Sequence, residues 1–216
     1  MKDRRYRKMK LTVTVLLAVL LLFATVLANA GEPTDQVRQT VDQVLNVLRN
    51  QELKKKSHTA ERRAALRRII MGRFDFEEMA KRSMGMHWRN LTPEQRKEFT
   101  ALFTDLLERS YLNKIESYED ESIVYTGERV DGTFAEVKTQ IITKRKTQIP
   151  IDYRLKKEGN QWYAYDVIIE GVSLVNNYRT QFNTIIRRES YEALVKRMKA
   201  KREEEEFITS GVKTNH

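Results

Sequence analysis

Apolar residues recur every three to four positions through the first half of the chain, which is the spacing that gives a helix one buried side. Val37, Val41, Val44, Leu45 and Leu48 form such a stripe, and Pro33-Thr34-Asp35 supplies its start signal. The charged stretch "KKKSH", residues 54–58, reads as a connector, after which Ala64, Leu66, Ile69 and Ile70 mark a second, shorter helix. In "FDFEEMAKRSMG", residues 74–85, Phe76, Met79, Ala80 and Ser83 share one side, and Gly85 provides a stop. Thr92-Pro93-Glu94-Gln95 has the form of a capping box with proline at the first helical position. The long helix it starts carries its apolar stripe on Phe99, Leu102, Phe103, Leu106 and Ile115.

The period changes from 3.6 to 2 after Glu121. "SIVYTGE", "TFAEVKTQIIT", "IPIDYRLKK" and "QWYAYDVIIE" are rich in β-branched and aromatic residues and are separated by hairpin-length turns at Asp131-Gly132, at residues 144–148 and at Gly159-Asn160. Four antiparallel strands follow from this. In the second and third, Ala135, Val137, Thr139, Ile141 and Ile149, Ile151, Tyr153, Leu155 alternate with polar residues, giving one dry and one wet face. The fourth breaks the rule: Tyr163, Tyr165, Val167 and Ile169 stand opposite Trp162, Ala164 and Ile168, with Asp166 alone polar, so both of its faces need cover. From Leu174 the stripe Leu174, Val175, Tyr178, Phe182, Ile185, Ile186 predicts a helix that Ser173 caps, and a charged helix over residues 191–202 extends or follows it. Helices, then a meander, then a closing helix make an α+β domain with a curved antiparallel sheet covered by helices. It is expected over residues 31–206, with residues 207–216 as a disordered tail.

Residues 1–30 are set apart from the fold. Six Lys and Arg residues precede an apolar run from Leu11 to Leu27 that ends in Ala28-Asn29-Ala30, the small-x-small pattern of a secretory cleavage site, so cleavage is expected after Ala30. This segment holds half of the chain's net charge of +10. The mild basicity that remains, on an exported chain, argues for an anionic membrane surface and against nucleic acid. With no cysteine, disulfides and thiolate metal sites are excluded.

The search for reactive groups yields little. Gly171-Val172-Ser173 sits where strand becomes helix but lacks the second glycine of a nucleophile elbow, so Ser173 reads as a helix cap. Gly127 to Gly132 has phosphate-loop spacing, yet Thr133-Phe134 stands where Lys and Ser/Thr would be needed. His58, His87 and His216 are scattered, and no metal site or cofactor is expected. Asp152 with Tyr153, and Asp166 with Tyr165, would suit proton transfer inside a cavity, but strand alternation points the members of each pair to opposite faces.

"FDFEEMA" (74–80), Trp88 with "LTPEQRKEF" (91–99), "GERVDG" (127–132), "IPIDYRL" (149–155) and "YDVIIEGVSLVNNYRTQF" (165–182) together resemble the MlaC family, also called the toluene-tolerance family. The resemblance runs in order through roughly residues 35 to 190. It implies an NTF2-like fold around a deep hydrophobic cavity, and a nonenzymatic, monomeric periplasmic carrier of phospholipid. The carrier would pass lipid between an outer-membrane lipoprotein complex and an inner-membrane ABC transporter complex with an MCE-domain ring, and so help maintain outer-membrane lipid asymmetry. On that expectation the acyl chains meet Met79, Leu107, Tyr111, Val137, Ile141, Ile151, Tyr153, Val167, Ile169, Val172, Leu174, Tyr178 and Phe182. An isomerase-type enzyme or a scaffold on the same fold is the alternative, because fold alone does not separate these classes.

Overall fold

The structure, a computed structural model, describes residues 32–211; the expected secretory segment and cleavage site lie outside the described residues. Five α-helices and two 3-10 turns lead into the sheet among the described residues: α1 (Glu32–Arg49), α2 (Gln51–Lys54), a 3-10 turn (Lys56–His58), α3 (Thr59–Met71), α4 (Phe76–Met84) and, after a second 3-10 turn (Gly85–Asn90), α5 (Pro93–Glu116). The strands are β1 (Ser122–Asp131), β2 (Phe134–Ile142), β3 (Gln148–Glu158), β4 (Gln161–Ile169) and β5 (Val172–Ser173), followed by α6 (Leu174–Arg188) and α7 (Tyr191–Gly211). Helix α7 runs past residue 206, where the charge pattern places the end of the domain.

The capping box at the start of α5 is formed in both directions: Gln95 N donates to Thr92 Oγ1 at 3.2 Å and Thr92 N donates to Gln95 Oε1 at 2.9 Å. This helix has no single wet side. Phe99, Leu102, Phe103 and Leu107 join the largest buried cluster, with α4, α6 and α7, while Leu112 joins Leu48 of α1 and Leu66 of α3 in another. A helix buried on more than one side becomes the spine on which the others lie.

All five strands pair antiparallel with their sequence neighbours in the order β1-β2-β3-β4-β5. The edge strand β5 is absent from the period-2 pattern because it is only two residues long. It forms through a two-residue turn in which Glu170 and Gly171 both have positive φ, 51° and 81°, so the chain folds straight back on β4. On the same side of β4, further along, Asp75 N donates to Ala164 O and Ala164 N donates to Arg73 O, both at 2.9 Å, so residues 73–75 add a single parallel rung.

Two bulges bend the sheet, one at Thr126 in β1 and one at Tyr165 in β4. The second corrects the simple alternation expected of β4. Arg154 pairs with Asp166 and Leu155 with Ala164, leaving Tyr165 as the extra residue. Trp162 and Ala164 therefore share the inner face with Val167 and Ile169. Tyr165 moves to the outer face beside Asp166: its ring lies 6.0 Å from Phe134 and under the Arg82 guanidinium at 4.0 Å. A strand that is apolar at nearly every position thus feeds one continuous inner wall on both sides of the bulge.

Candidate functional site

The inner face of the sheet does not close onto the helices. Between it and α1, α3 and α5 lies a cavity of about 560 Å³, inside the range of small-ligand sites. The sheet side is built in rows set by the register. Ile123, Ile141 and Ile149 stand side by side across β1, β2 and β3; Ile151 faces Ile169, and Tyr153 faces Val167. From the Tyr153 row onward, the space closes: Val37 of α1 packs in one cluster with Val137, the β2 partner of Tyr153, and with Ala135, Leu155, Trp162 and Ala164 beyond it. The helix side is the stripe of α1 from Val37 to Leu48, about 16 Å long at 1.5 Å per residue, with Ile70 and Met71 of α3 and Leu107, Tyr111, Leu112 and Ile115 of α5.

Nine of the thirteen residues expected to meet acyl chains stand on this wall: Met79, Leu107, Tyr111, Ile141, Ile151, Tyr153, Val167, Ile169 and Leu174. Four stand elsewhere. Val137 has no exposed surface because Val37 and the flanking Tyr125 and Tyr153 rings enclose its cluster. Val172, on the short edge strand, is 56% exposed. Tyr178 and Phe182 turn to α5 instead of the sheet, stacking edge-on against Phe103 at 5.3 and 5.7 Å. Conversely, the α1 stripe reads in the sequence as ordinary core, although its middle residues Val41, Val44 and Leu45 are only half-buried. Half-burial of an unbroken apolar stripe is what a cavity wall produces.

Most of the surface the wall presents is apolar, and its charged residues are Arg67, Arg73, Glu108, Lys114 and Glu121. Burial raises the phenol of Tyr153, pushing it up to about 12, and raises that of Tyr111, so both remain neutral near pH 7. Arg67 of the wall is paired with Glu108 at 3.3 Å. Asp166, the carboxylate weighed as a proton-transfer group, is not on the wall. It is 3% exposed and accepts from Ser173 Oγ at 2.6 Å, from Val175 N at 3.1 Å and from Arg154 Nη1 at 3.4 Å. Ser173 Oγ in turn accepts from Asn176 N at 3.0 Å, which caps α6. His87 bonds Asn183 through Nε2 at 2.9 Å, and no group of three or more metal-ligating side chains occurs among the described residues.

Comparison with known proteins agrees with this geometry. The chain is 27% identical over 175 residues to the toluene tolerance protein ttg2D of Pseudomonas putida, covering 80% of this chain and 81% of that protein. It is 22% identical over 191 residues to the intermembrane phospholipid transport system binding protein MlaC of Haemophilus influenzae, covering 86% and 89%. Among solved structures, a phospholipid-binding protein from Ralstonia solanacearum in complex with a phospholipid superposes with a TM-score of 0.69 at 26% identity, over 77% of this chain and 94% of that one. Residues 38–200 match the family model described as MlaC protein, and the chain belongs to the MlaC family.

Proposed function

We propose that the protein is a periplasmic phospholipid carrier that takes up lipid acyl chains in the cavity between the sheet and α1, α3 and α5. The observation that carries this reading is the apolar cavity itself, in a chain whose structural relative from Ralstonia solanacearum is described in complex with a phospholipid. A protein interior is normally close-packed, so a space of this size lined by aliphatic side chains calls for an apolar occupant. Two acyl chains carry about 30 methylenes, whose exposure to water costs on the order of 20 kcal/mol at about 0.8 kcal/mol each, and free lipid does not cross an aqueous gap at a useful rate. The carrier supplies the missing apolar solvent. Its partners are an outer-membrane lipoprotein complex and an inner-membrane MCE-domain ABC transporter complex, and its action supports outer-membrane lipid asymmetry.

The mechanism needs shape, not a nucleophile. The buried Asp166 is engaged by the start of α6, and burial keeps the Tyr153 and Tyr111 phenols neutral, so the cavity offers mainly apolar contact. The test is transfer of fluorescent phospholipid between donor and acceptor vesicles held apart by a membrane that the protein crosses and vesicles do not. Transfer that rises with protein concentration is expected; no increase over the protein-free rate would refute the carrier.

A further inference from the structure

The end of the cavity away from Val37 carries a basic tip. The turn that joins β2 to β3, residues 144–148, is exposed throughout and begins Lys144-Arg145-Lys146. Thr143 and Ile149, on either side of it, line the cavity, as do Glu121 and Ile123 where β1 begins and the exposed Lys114 and Ser117 where α5 ends. The acids of the α5–β1 loop are already engaged: Glu119 lies 3.7 Å from Lys144, Asp120 lies 3.2 Å from Arg49, and Glu121 Oε2 accepts from Glu119 N at 2.8 Å. Arg145 and Lys146 are left with no ion pair or side-chain hydrogen bond among the described residues.

The turn is held in a conformation that costs stability. Lys146 N donates to Thr143 O at 2.8 Å, Thr143 N to Thr147 O at 3.0 Å and Thr147 N to Thr143 Oγ1 at 3.1 Å, while Lys146 itself sits at φ 62°, which glycine or asparagine adopts more readily. A lysine kept there points to a use for its charge. The chemistry of the tip selects the partner. Protein interfaces are depleted of Lys at their centres and rest on aromatic or Met anchors, and residues 143–148 hold neither. Beside an anionic leaflet, by contrast, each Lys or Arg strengthens binding about fivefold. We propose that the β2–β3 turn, with Lys114 across the mouth, docks the protein directly on the headgroups of an anionic bilayer, so that the open end of the cavity faces the membrane surface. The inference rests on the carrier reading and adds a contact with lipid that needs no partner protein.

The test is cosedimentation of the purified protein with vesicles of phosphatidylcholine, with and without phosphatidylglycerol. Wild type is expected to bind the phosphatidylglycerol vesicles about tenfold or more tighter at low salt, and to lose that preference in ~1 M salt, where charges are screened within about 3 Å. Arg145→Gln with Lys146→Asn removes two charges, and asparagine suits the left-handed φ. This pair should keep or raise the urea midpoint while the preference falls about tenfold or more. Arg187→Gln with Arg188→Gln removes the same charge at the end of α6, close to Tyr191, whose hydroxyl donates to Gln95 O at the start of α5, roughly 28 Å along that helix from Lys114. This second pair should keep the preference. Equal loss in both pairs, or a wild type that does not distinguish the two vesicles, would overturn the docking site, and the latter result would leave the tip to an acidic protein surface. The lipid content of the same preparations separates the two readings: bound lipid without vesicle preference refutes the docking alone, and vesicle preference without bound lipid supports the docking but counts against the carrier.

Discussion

Ser173 Oγ donates to the Asp166 carboxylate at 2.6 Å while it accepts the Asn176 amide at 3.0 Å, so one hydroxyl joins the last long strand to the first turn of the helix after it. This is why the apolar strand must run directly into α6. The β4–β5 turn returns the chain, the capped helix start satisfies the buried carboxylate, and Leu174 is left on the cavity wall. Ser173→Ala removes the cap and one donor to Asp166, and is expected to lower unfolding stability by about 1–3 kcal/mol. Denaturant titration measures that loss, and lipid transfer by the folded variant should be retained. A loss of transfer without loss of stability would point to chemistry at Ser173.

The register separates two neighbouring valine and isoleucine positions on β2. Ile141 lines the cavity, whereas Val137, four residues earlier on the same face, is fully buried in packed side chains. Ile141→Trp should displace lipid and change the stability of the lipid-free protein by less than about 1 kcal/mol, because the ring enters the cavity and not packed side chains. Val137→Trp should cost about 1–3 kcal/mol through overpacking. Thermal unfolding of the lipid-stripped variants, beside their lipid content as purified, checks both; equal destabilisation would mean there is no cavity at Ile141.

Much of this architecture is legible in residue order, for local reasons. The α5 capping box, the hairpin turns and the Ser173 cap each depend on a few adjacent residues. The bulge at Tyr165 does not: nothing in "YAYDV" marks which residue will lie unpaired, and that choice depends on β3 and on residues 73–75 docking at Ala164. The division between core and cavity is also hidden, because Val37 and Val41 have the same hydropathy, and only packing decides that one is enclosed and the other half-buried. Tyr178 and Phe182 show the converse, an apolar stripe satisfied by the aromatic rings of α5 instead of by the cavity. The bonds from the Arg73 guanidinium to Thr40 Oγ1, Gln36 Oε1 and the Trp162 carbonyl give no signal in sequence, since these acceptors lie 33, 37 and 89 residues away.

The turn between β4 and β5 carries a non-glycine residue, Glu170, at φ 51°. Asparagine occupies this left-handed region more readily, and Asn-Gly is a favoured pair in such a turn. Glu170→Asn should therefore stabilise the protein by up to about 1 kcal/mol, read as a higher midpoint in urea. An unchanged or lower midpoint would show that Glu170 makes a compensating interaction.

Tyr153 provides a pH dependence of known sign. Burial holds its phenol protonated up to about 12, above the ordinary phenol value, so the folded state retains a proton that the unfolded state loses first. This contribution to stability is fully present below about pH 10 and is lost as pH rises through about 12. Tyr153→Phe should flatten that part of the stability profile, with unfolding followed between pH 9 and about 12. An identical alkaline slope in the variant would show that Tyr153 is solvated.

Native mass spectrometry of the wild-type protein, purified from the cell envelope without detergent, tests the carrier most directly. The expected result is a population heavier than the bare polypeptide by the mass of phospholipid, released as intact phospholipid on solvent extraction and reduced in Ile141→Trp. A wild-type spectrum containing only the bare polypeptide, with no lipid in the extract, would contradict the account.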